Sequence, residues 1–450
     1  MERLLLKLAE HFQLTPEKSR LLIVGLGATG FSAARFLHQT PIRFAVIDSR
    51  PHPPLIDDLR EELPDTPVFV GGFNQAAFEV ATHILASPGA GLHEAAIRKA
   101  EANGAVIIGD IDLFMCATER PVIALTGTYG KGMTSAILAE MAAAVGLRPA
   151  LGGHFAAPAL DLLRQEADVS ILRLTNMQLE RTRLLNARAA AVLNVSPDHV
   201  GGPELAALKR RIFQGDGVMV LNADDPAVIA MRTPERRHFS FSVKQEADFY
   251  LRRGGGPDCL MFRRQTLLRV DETRLEGLPH IANALAALAL AHAMGWDLAA
   301  VCGALRNFKG LPHSMQKVAE VDGVLWVNDA KSTSAQACIA ALENYDRKVI
   351  LIAGAAAEVE PPDLAVAVKA RTKALILFGE KAGGLAAAVG GALPVIEVSN
   401  VRAAVRQALR LAAPGDVVLL APACRDNDRR TGYAETGNKF IESVLECAPC

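Results

Sequence analysis

The chain has 450 residues, 50% apolar and 22% charged, a balance that excludes a disordered chain and leaves room for about three domains of roughly 150 residues each. Lys and Arg (48) offset Asp and Glu (49), so no net field draws the chain to nucleic acid or to an anionic membrane. Seven scattered cysteines, an odd number, fit reduced core thiols better than a disulfide framework.

Residues 1–13 carry an apolar patch at Leu4–Leu6 that Lys7, Glu10 and His11 interrupt, too short and too charged for a signal or spanning segment. Later apolar runs are cut by Gly, Pro or charge within about a dozen residues, so no membrane insertion and a cytoplasmic location are expected. Short apolar runs alternate with helix-like segments, the pattern of βαβ units around parallel sheets. Three α/β domains are expected, over 1–117, 118–309 and 310–450.

In the first, 21–25, 44–48, 68–70, 83–86 and 105–108 read as strands, and 116–121 as a linker. The second opens with 122–125 and continues through strands at 169–174, 190–195 and 218–221. A strand-rich stretch, 239–270, turns at 254–257, and an Ala/Leu helix over 281–294 closes the unit. In the third, strands are expected at 324–327, 349–353, 374–378, 395–398 and 417–420, with helices at 334–343 and 434–445. Cys447 and Cys450 end the chain as C-A-P-C, which lacks the strand–helix context of a redox pair and reads as a tail.

Two glycine loops pose the functional question. Strand 21–24 runs into Gly25-x-Gly27-x-x-Gly30, and Asp48 ends the next strand. Glycines there let backbone amides approach a diphosphate at a helix N-terminus, while the acid takes ribose hydroxyls. Alone, this loop fits a nicotinamide enzyme or a ligand-free turn. The second loop, Thr126-Gly127-Thr128-Tyr129-Gly130-Lys131, follows strand 122–125 and precedes a helix expected over 134–144. Amides and one lysine at a helix start make a nucleoside triphosphate cradle. It departs from a full P-loop, because Gly132 stands where a hydroxyl would hold Mg²⁺. Two such loops on successive α/β units point to an enzyme joining chemistry on two nucleotide-bearing ligands; a dehydrogenase has no use for the second.

With these loops, the segments IDSR at 47–50, ASPG at 86–89, GDIDLF at 109–114, MQLE at 177–180 and NVSPDH at 194–199 resemble the Mur ligase family. So do LKRRIF at 208–213, LNADD at 221–225, NALAALALA at 283–291, FKGLPH at 308–313, NDAKST at 328–333 and APAC at 421–424. The resemblance spans nearly the whole chain. It implies a Rossmann-like UDP-binding domain, a P-loop-like ATPase domain and a Rossmann-like amino-acid domain, acting as a monomer. The implied reaction adds D-glutamate to UDP-N-acetylmuramoyl-L-alanine through an acyl phosphate in peptidoglycan synthesis, with ATP and Mg²⁺.

Carried over residue by residue, the resemblance assigns Gly27, Thr29, Asp48, Ser49, Arg50, Ser87, Gly89 and Gln178 to the UDP-precursor. It assigns Gly127, Thr128, Gly130, Lys131, Asn283 and Asp329 to ATP, and Lys331 and Thr333 to the amino-acid side. Lys131, Lys209 and His199 carry the catalytic assignment, His199 and a carbamylated Lys209 serving the metal. The departures fall on the chemistry. Gly132 replaces a hydroxyl residue, Arg173 a metal-binding Glu, Ser314 an Arg, and Ala355 and Ala357 the Asp and Lys of a glutamate loop. A guanidinium at 173 repels Mg²⁺ but pairs with phosphate oxygens itself, so nucleotide binding insensitive to chelator is expected. Two readings follow: the ligase, or a homologue that binds the UDP-muramoyl precursor or nucleotide without ligation.

Overall fold

A computed structural model describes the chain apart from residues 93, 155–156, 196–201, 276, 344, 346, 355–361, 380–382, 424–431 and 448–450, and the side chains of 202, 203, 336, 340, 362 and 383. The chain divides into two compact units, residues 1–273 with 282–308, and 274–281 with 309–450. No helix among the described residues is long and apolar enough to cross a membrane.

The first unit holds two sheets. One contains β1 (Leu21–Val24), β2 (Phe44–Asp48), β3 (Val68–Val70), β4 (His83–Ala86) and β5 (Val106–Ile108), in the order β3-β2-β1-β4-β5 and parallel throughout. The four residues of β1, Leu-Leu-Ile-Val, are all buried, as a central parallel strand covered on both faces requires. The chain reverses its winding between β1 and β4, and this opens a crevice at the carboxyl ends of the strands.

The second sheet contains β6 (Val122–Thr126), β7 (Pro149–Gly152), β8 (Val169–Arg173), β9 (Ala189–Val192), β10 (Val218–Asn222), β11 (His238–Ser242), β12 (Phe249–Arg252), β13 (Cys259–Phe262) and β14 (Gln265–Arg269). Their order is β14-β13-β12-β11-β10-β9-β6-β8-β7. The strands from β12 to β7 are parallel, and the edge pairs β12–β13 and β13–β14 antiparallel. Its own reversal lies at β6, where the second glycine loop emerges.

The second unit is one sheet of β15 (Gln316–Val321), β16 (Val324–Asn328), β17 (Val349–Gly354), β18 (Thr372–Phe378), β19 (Val395–Val398) and β20 (Val417–Leu420), in the order β15-β16-β20-β17-β18-β19. Separate apolar clusters cover its faces, one around Leu351 and Leu419 and one around Ile350, Ile352 and Phe440.

Within the first unit the two sheets share one core, running from Leu8 and Phe12 through Ile23 of β1 to Ala124 of β6 and Leu172 of β8. Polar ties reinforce it. Asp112, fully buried on the helix Asp110–Ala117, accepts the amides of Arg183 (2.7 Å) and Leu184 (2.9 Å), and that of Gly109 at 3.1 Å. Asp161 accepts from the Ser32 hydroxyl at 2.8 Å, and Arg35 Nη2 donates to both of its carboxylate oxygens, at 3.1 and 3.2 Å.

Three expectations change. The linker expected over 116–121 shortens, because the helix Asp110–Ala117 keeps Cys116 buried in the shared core and its Asp112 caps the helix start. The helix expected from 134 begins at Lys131, since Gly130 takes a left-handed φ of 84° and turns the chain straight into it. The strands β7 and β15 add to the expected set. β15, Gln-Lys-Val-Ala-Glu-Val, is a half-polar edge strand whose place comes from antiparallel pairing with β16.

Removal of the Asp112 carboxylate leaves buried amide donors unpaired. Asp112→Ala is expected to cost about 3 kcal/mol and to lower the Tm by several degrees in calorimetry; an unchanged Tm refutes this role for the carboxylate.

Candidate active site

At the reversal of the first sheet lies a cavity of about 410 Å³ lined by Gly27, Thr29, Asp48, Ser49, Arg50, Ser87 and Gly89, among others. Two glycines are needed to close its floor. A Cβ on Gly25 stands 2.2 Å from Ser87 Oγ, and one on Gly30 stands 1.9 Å from the Gly25 carbonyl oxygen. Ser87 Oγ donates to the Val24 carbonyl at 2.8 Å, pinning the loop. Asp48 accepts the Leu26 amide at 2.7 Å and is gripped by Arg50 through Nε (2.9 Å), Nη2 (2.6 Å) and the backbone amide (2.9 Å). Burial pushes the Asp48 carboxyl up, but these donors outweigh it and hold the carboxyl below its ordinary value.

Gln178 does not line that cavity. Its Nε2 donates to Asp110 Oδ2 at 3.0 Å, while its Oε1 accepts the Thr175 amide and hydroxyl, both at 3.1 Å. The amide thus caps the helix Asn176–Arg181 and ties it to the helix Asp110–Ala117. Burial raises Asp110 to about 6.

The second glycine loop is held from behind by Asn194, which opens the NVSPDH segment but carries no assigned role in the sequence reading. Asn194 Oδ1 accepts the amides of Thr128 (2.8 Å) and Tyr129 (3.1 Å), and its Nδ2 donates to the Tyr129 carbonyl at 3.2 Å. Its sequence signal is its place at the head of that segment, where the apolar run after β9 ends. Lys131 Nζ folds back onto the carbonyls of Gly127 and Thr128. Asn283 closes the far side, with its Oδ1 3.4 Å from Thr134 Oγ1 and 2.3 Å from where a Cβ on Gly130 projects. Gly127, Thr128, Gly130, Lys131 and Asn283 are thus brought together around this loop.

Arg173 ends β8 and sits in register with Leu125 of β6, beside the loop. Lys209, 2% exposed on the helix Gly202–Arg210, donates from Nζ to Asn176 Oδ1 at 2.8 Å. Burial and then the charge of Arg173 push Lys131 down to about 8. Burial and then the charge of Lys131 bring Lys209 to about 8 as well.

Asp329, Lys331, Thr333 and Ser314 belong to the second unit. Asp329 follows β16 and is 5% exposed; its carboxylate accepts the Met315 amide at 2.9 Å and the Ser332 hydroxyl. Lys331 is exposed, and its amide donates to the His313 carbonyl at 3.0 Å. His199, Ala355, Ala357 and Cys450 lie outside the described residues, whereas Cys447 is an exposed free thiol.

Comparison with known proteins bears directly on this arrangement. Residues 19–109 match the Mur ligase MurD-like N-terminal domain, 125–291 the Mur ligase middle domain, and 314–424 the Mur ligase glutamate ligase domain. The chain belongs to the Mur ligase family. It is 44% identical over 438 residues to the UDP-N-acetylmuramoylalanine–D-glutamate ligase of Methylococcus capsulatus, covering 96% of this chain and 95% of that one. The enzyme of the same name from Nitrosococcus oceani is 40% identical, covering 95% and 97%. Two solved structures share the fold. A pseudomurein peptide ligase type C from Methanothermus fervidus has a TM-score of 0.60 at 19% identity, covering 95% of this chain and 100% of its own. The UDP-N-acetylmuramate–alanine ligase MurC from Thermotoga maritima has 0.58 at 15%, covering 95% and 99%.

Mur ligases in general require ATP and Mg²⁺. A hard divalent cation takes carboxylate, hydroxyl or carbonyl oxygens. Around this cradle Gly132 offers no hydroxyl, and the Arg173 guanidinium offers no lone pair. Among the described residues no group of three His, Cys, Asp or Glu is placed to hold an ion. Of the residues assigned to the metal, Lys209 is described and His199 lies outside the described residues.

Both depressed lysines bind protons less tightly in the folded chain than in the unfolded one. The fold is therefore penalised below about pH 8 and relieved as pH rises towards the unfolded lysine value near about 10.4. Lys209→Met is expected to raise the Tm by a few degrees at pH 7, and the gain over wild type is expected to vanish by about pH 10. A gain independent of pH contradicts a buried ammonium at this position.

Proposed function

We propose that this chain joins D-glutamate to UDP-N-acetylmuramoyl-L-alanine with ATP, as a cytoplasmic monomer in peptidoglycan synthesis. The main support is 44% identity across almost the full length of a relative named for that reaction. In this reading the substrate carboxylate oxygen attacks the γ-phosphorus of ATP, releasing ADP and forming an acyl phosphate. The glutamate amine then attacks the acyl carbon and expels inorganic phosphate, giving up a proton as the amide forms.

The 410 Å³ cavity suits the uridine diphosphate end, with Gly27 and Thr29 at its loop and Asp48, Ser49, Arg50, Ser87 and Gly89 on its walls. The amides at the start of the helix Lys131–Ala144, together with Lys131, face the ATP phosphates in this reading, and Asn283 the adenine side. Lys131 must release the Gly127 and Thr128 carbonyls to reach a phosphate. Asp329, Lys331 and Thr333 serve the ribose and the amino acid. Gln178, held by Asp110 and Thr175, positions the helix Asn176–Arg181 and with it Asn176 beside Lys209. Lys209 acts as an ammonium. We also take 1–117, 118–309 and 310–450 as the functional domains, since each carries its own sheet.

A second reading, precursor or nucleotide binding without ligation, has one observation in its favour: Arg173 and Gly132 stand where metal-directed oxygens are needed. Phosphate release by the folded protein, given ATP, UDP-N-acetylmuramoyl-L-alanine and each glutamate enantiomer in turn, separates the two. Release that requires D-glutamate and the precursor together is expected. Absence of release, with the precursor still raising the Tm, overturns the ligase reading in favour of the second.

A further inference from the structure

We propose that a cavity at the amino ends of β6, β9, β10 and β11 binds a small sugar bisphosphate, two phosphate groups joined by a hydroxylated spacer. The site lies apart from the residues assigned to ligation, and the proposal stands whether or not the chain ligates.

The cavity measures about 610 Å³, within the range of small-molecule sites. Its walls come from residues that precede four neighbouring strands. Arg120 stands two residues before β6, Arg188 one before β9, Asp216 two before β10 and Arg237 one before β11. The sheet order β11-β10-β9-β6 sets them in a row. Backbone pairing fixes that row. The Arg188 amide donates to the Val122 carbonyl at 2.8 Å, and the Val218 amide to the Arg188 carbonyl at 3.0 Å. The Met219 amide donates to the Arg237 carbonyl at 3.0 Å. Ligands of parallel sheets usually sit at the carboxyl ends of the strands, where β6 runs into the second glycine loop. This cavity is at the other end of the same strand, roughly 13 Å away by strand rise.

The walls are charged, and several of the charges are open to a ligand. Arg120 is fixed by the carbonyls of Leu162 at 3.0 Å and Gln165 at 3.1 Å. Glu119, also on the wall, is paired with Arg3. Arg188, Asp216 and Arg237 make no ion pair among the described residues. Both arginines are exposed, and the Arg237 guanidinium carbon lies 5.5 Å from the centroid of the Phe239 ring. Beneath them the backbone is rigid. Arg236 Nε donates to the Gly217 carbonyl at 2.6 Å, and a Cβ on Gly217 stands 1.9 Å from the Ala187 carbonyl oxygen.

Along the sheet, Arg188 and Arg237 flank Asp216. One strand separates β9 from β11, so the two arginine backbones stand roughly 10 Å apart. A guanidinium takes phosphate oxygens through paired N–H donors. An ionised carboxylate only accepts, so it repels a phosphate placed midway and takes hydroxyl donors. The complementary ligand carries a phosphate at each end and hydroxyls between. Two adjacent phosphates would set one of them against Asp216.

Calorimetric titration of the purified full-length protein with fructose 1,6-bisphosphate tests this, with inorganic pyrophosphate as the probe of adjacent phosphates. Wild type is expected to bind the bisphosphate with a Kd below about 1 mM. Arg188→Gln/Arg237→Gln is expected to weaken it at least roughly tenfold, the scale of one lost charge-assisted hydrogen bond. The exposed pair Arg232→Gln/Arg264→Gln removes the same charge outside the cavity and is expected to leave the Kd within about twofold. Asp216→Ala is the sharper variant. Removal of a negative charge alone tightens an anion, whereas loss of an acceptor for the spacer hydroxyls is expected to weaken it about tenfold. Pyrophosphate binding at other sites is common to wild type and the cavity variants, and is expected to be unchanged between them. An unchanged Tm without ligand identifies folded variants. Absence of bisphosphate binding in wild type overturns the proposal, as does an equal loss in both arginine pairs. Tighter binding by Asp216→Ala, or pyrophosphate weakened as much as the bisphosphate by Arg188→Gln/Arg237→Gln, overturns the hydroxylated spacer.

Discussion

Asp112 holds the amides of Arg183 and Leu184 from a fully buried position, and the placement of both candidate ligand loops depends on that grip. Its helix ends the first sheet, and the two residues it captures lead into β9 of the second. Asp161, bound by Ser32 and Arg35 from the helix behind the first glycine loop, makes a second tie between the same sheets. Around them runs a shared apolar core. The cavity at β1 and the cradle at β6 are therefore built on one compact unit, and their spacing is set by folding before any ligand arrives.

The two sites handle charge in opposite ways. At the first, Asp48 and Arg50 satisfy each other through two side-chain contacts, leaving a locally balanced wall. Such a wall suits a ligand whose base and sugar are read by shape and hydrogen bonds. At the second, Lys131 and Lys209 are both held below their ordinary values by burial and then by a neighbouring cation.

Much of this was legible in the sequence. Strands such as β1 and β17 are continuous apolar runs buried along their whole length, and the glycine loops that follow β1 and β6 mark both reversals of winding. The cavity residues Asp48, Ser49, Arg50, Ser87 and Gly89 were all named in advance and stand together. Partners remote along the chain were not legible. Asn194 acts on a loop 66 residues earlier, and Asp112 on amides 71 and 72 residues later. Asn194 opens NVSPDH and Asp112 lies in GDIDLF, segments that carry the family resemblance, but neither segment encodes which distant amides its side chain takes. Gln178 and Asp329 were named for ligands, yet each side chain has its hydrogen bonds within its own unit, a matter of packing that residue type does not encode.

The grip of Asn194 on Thr128 and Tyr129 has a consequence for how fast the cradle can be filled. A loop already bonded in shape gives up little freedom when a phosphate arrives. Encounter then resembles docking onto a rigid surface, limited by diffusion and steering more than by a search among loop conformers. The same two amides, being hydrogen-bonded, are expected to exchange slowly with solvent, in a loop type whose glycines would ordinarily leave it open to exchange.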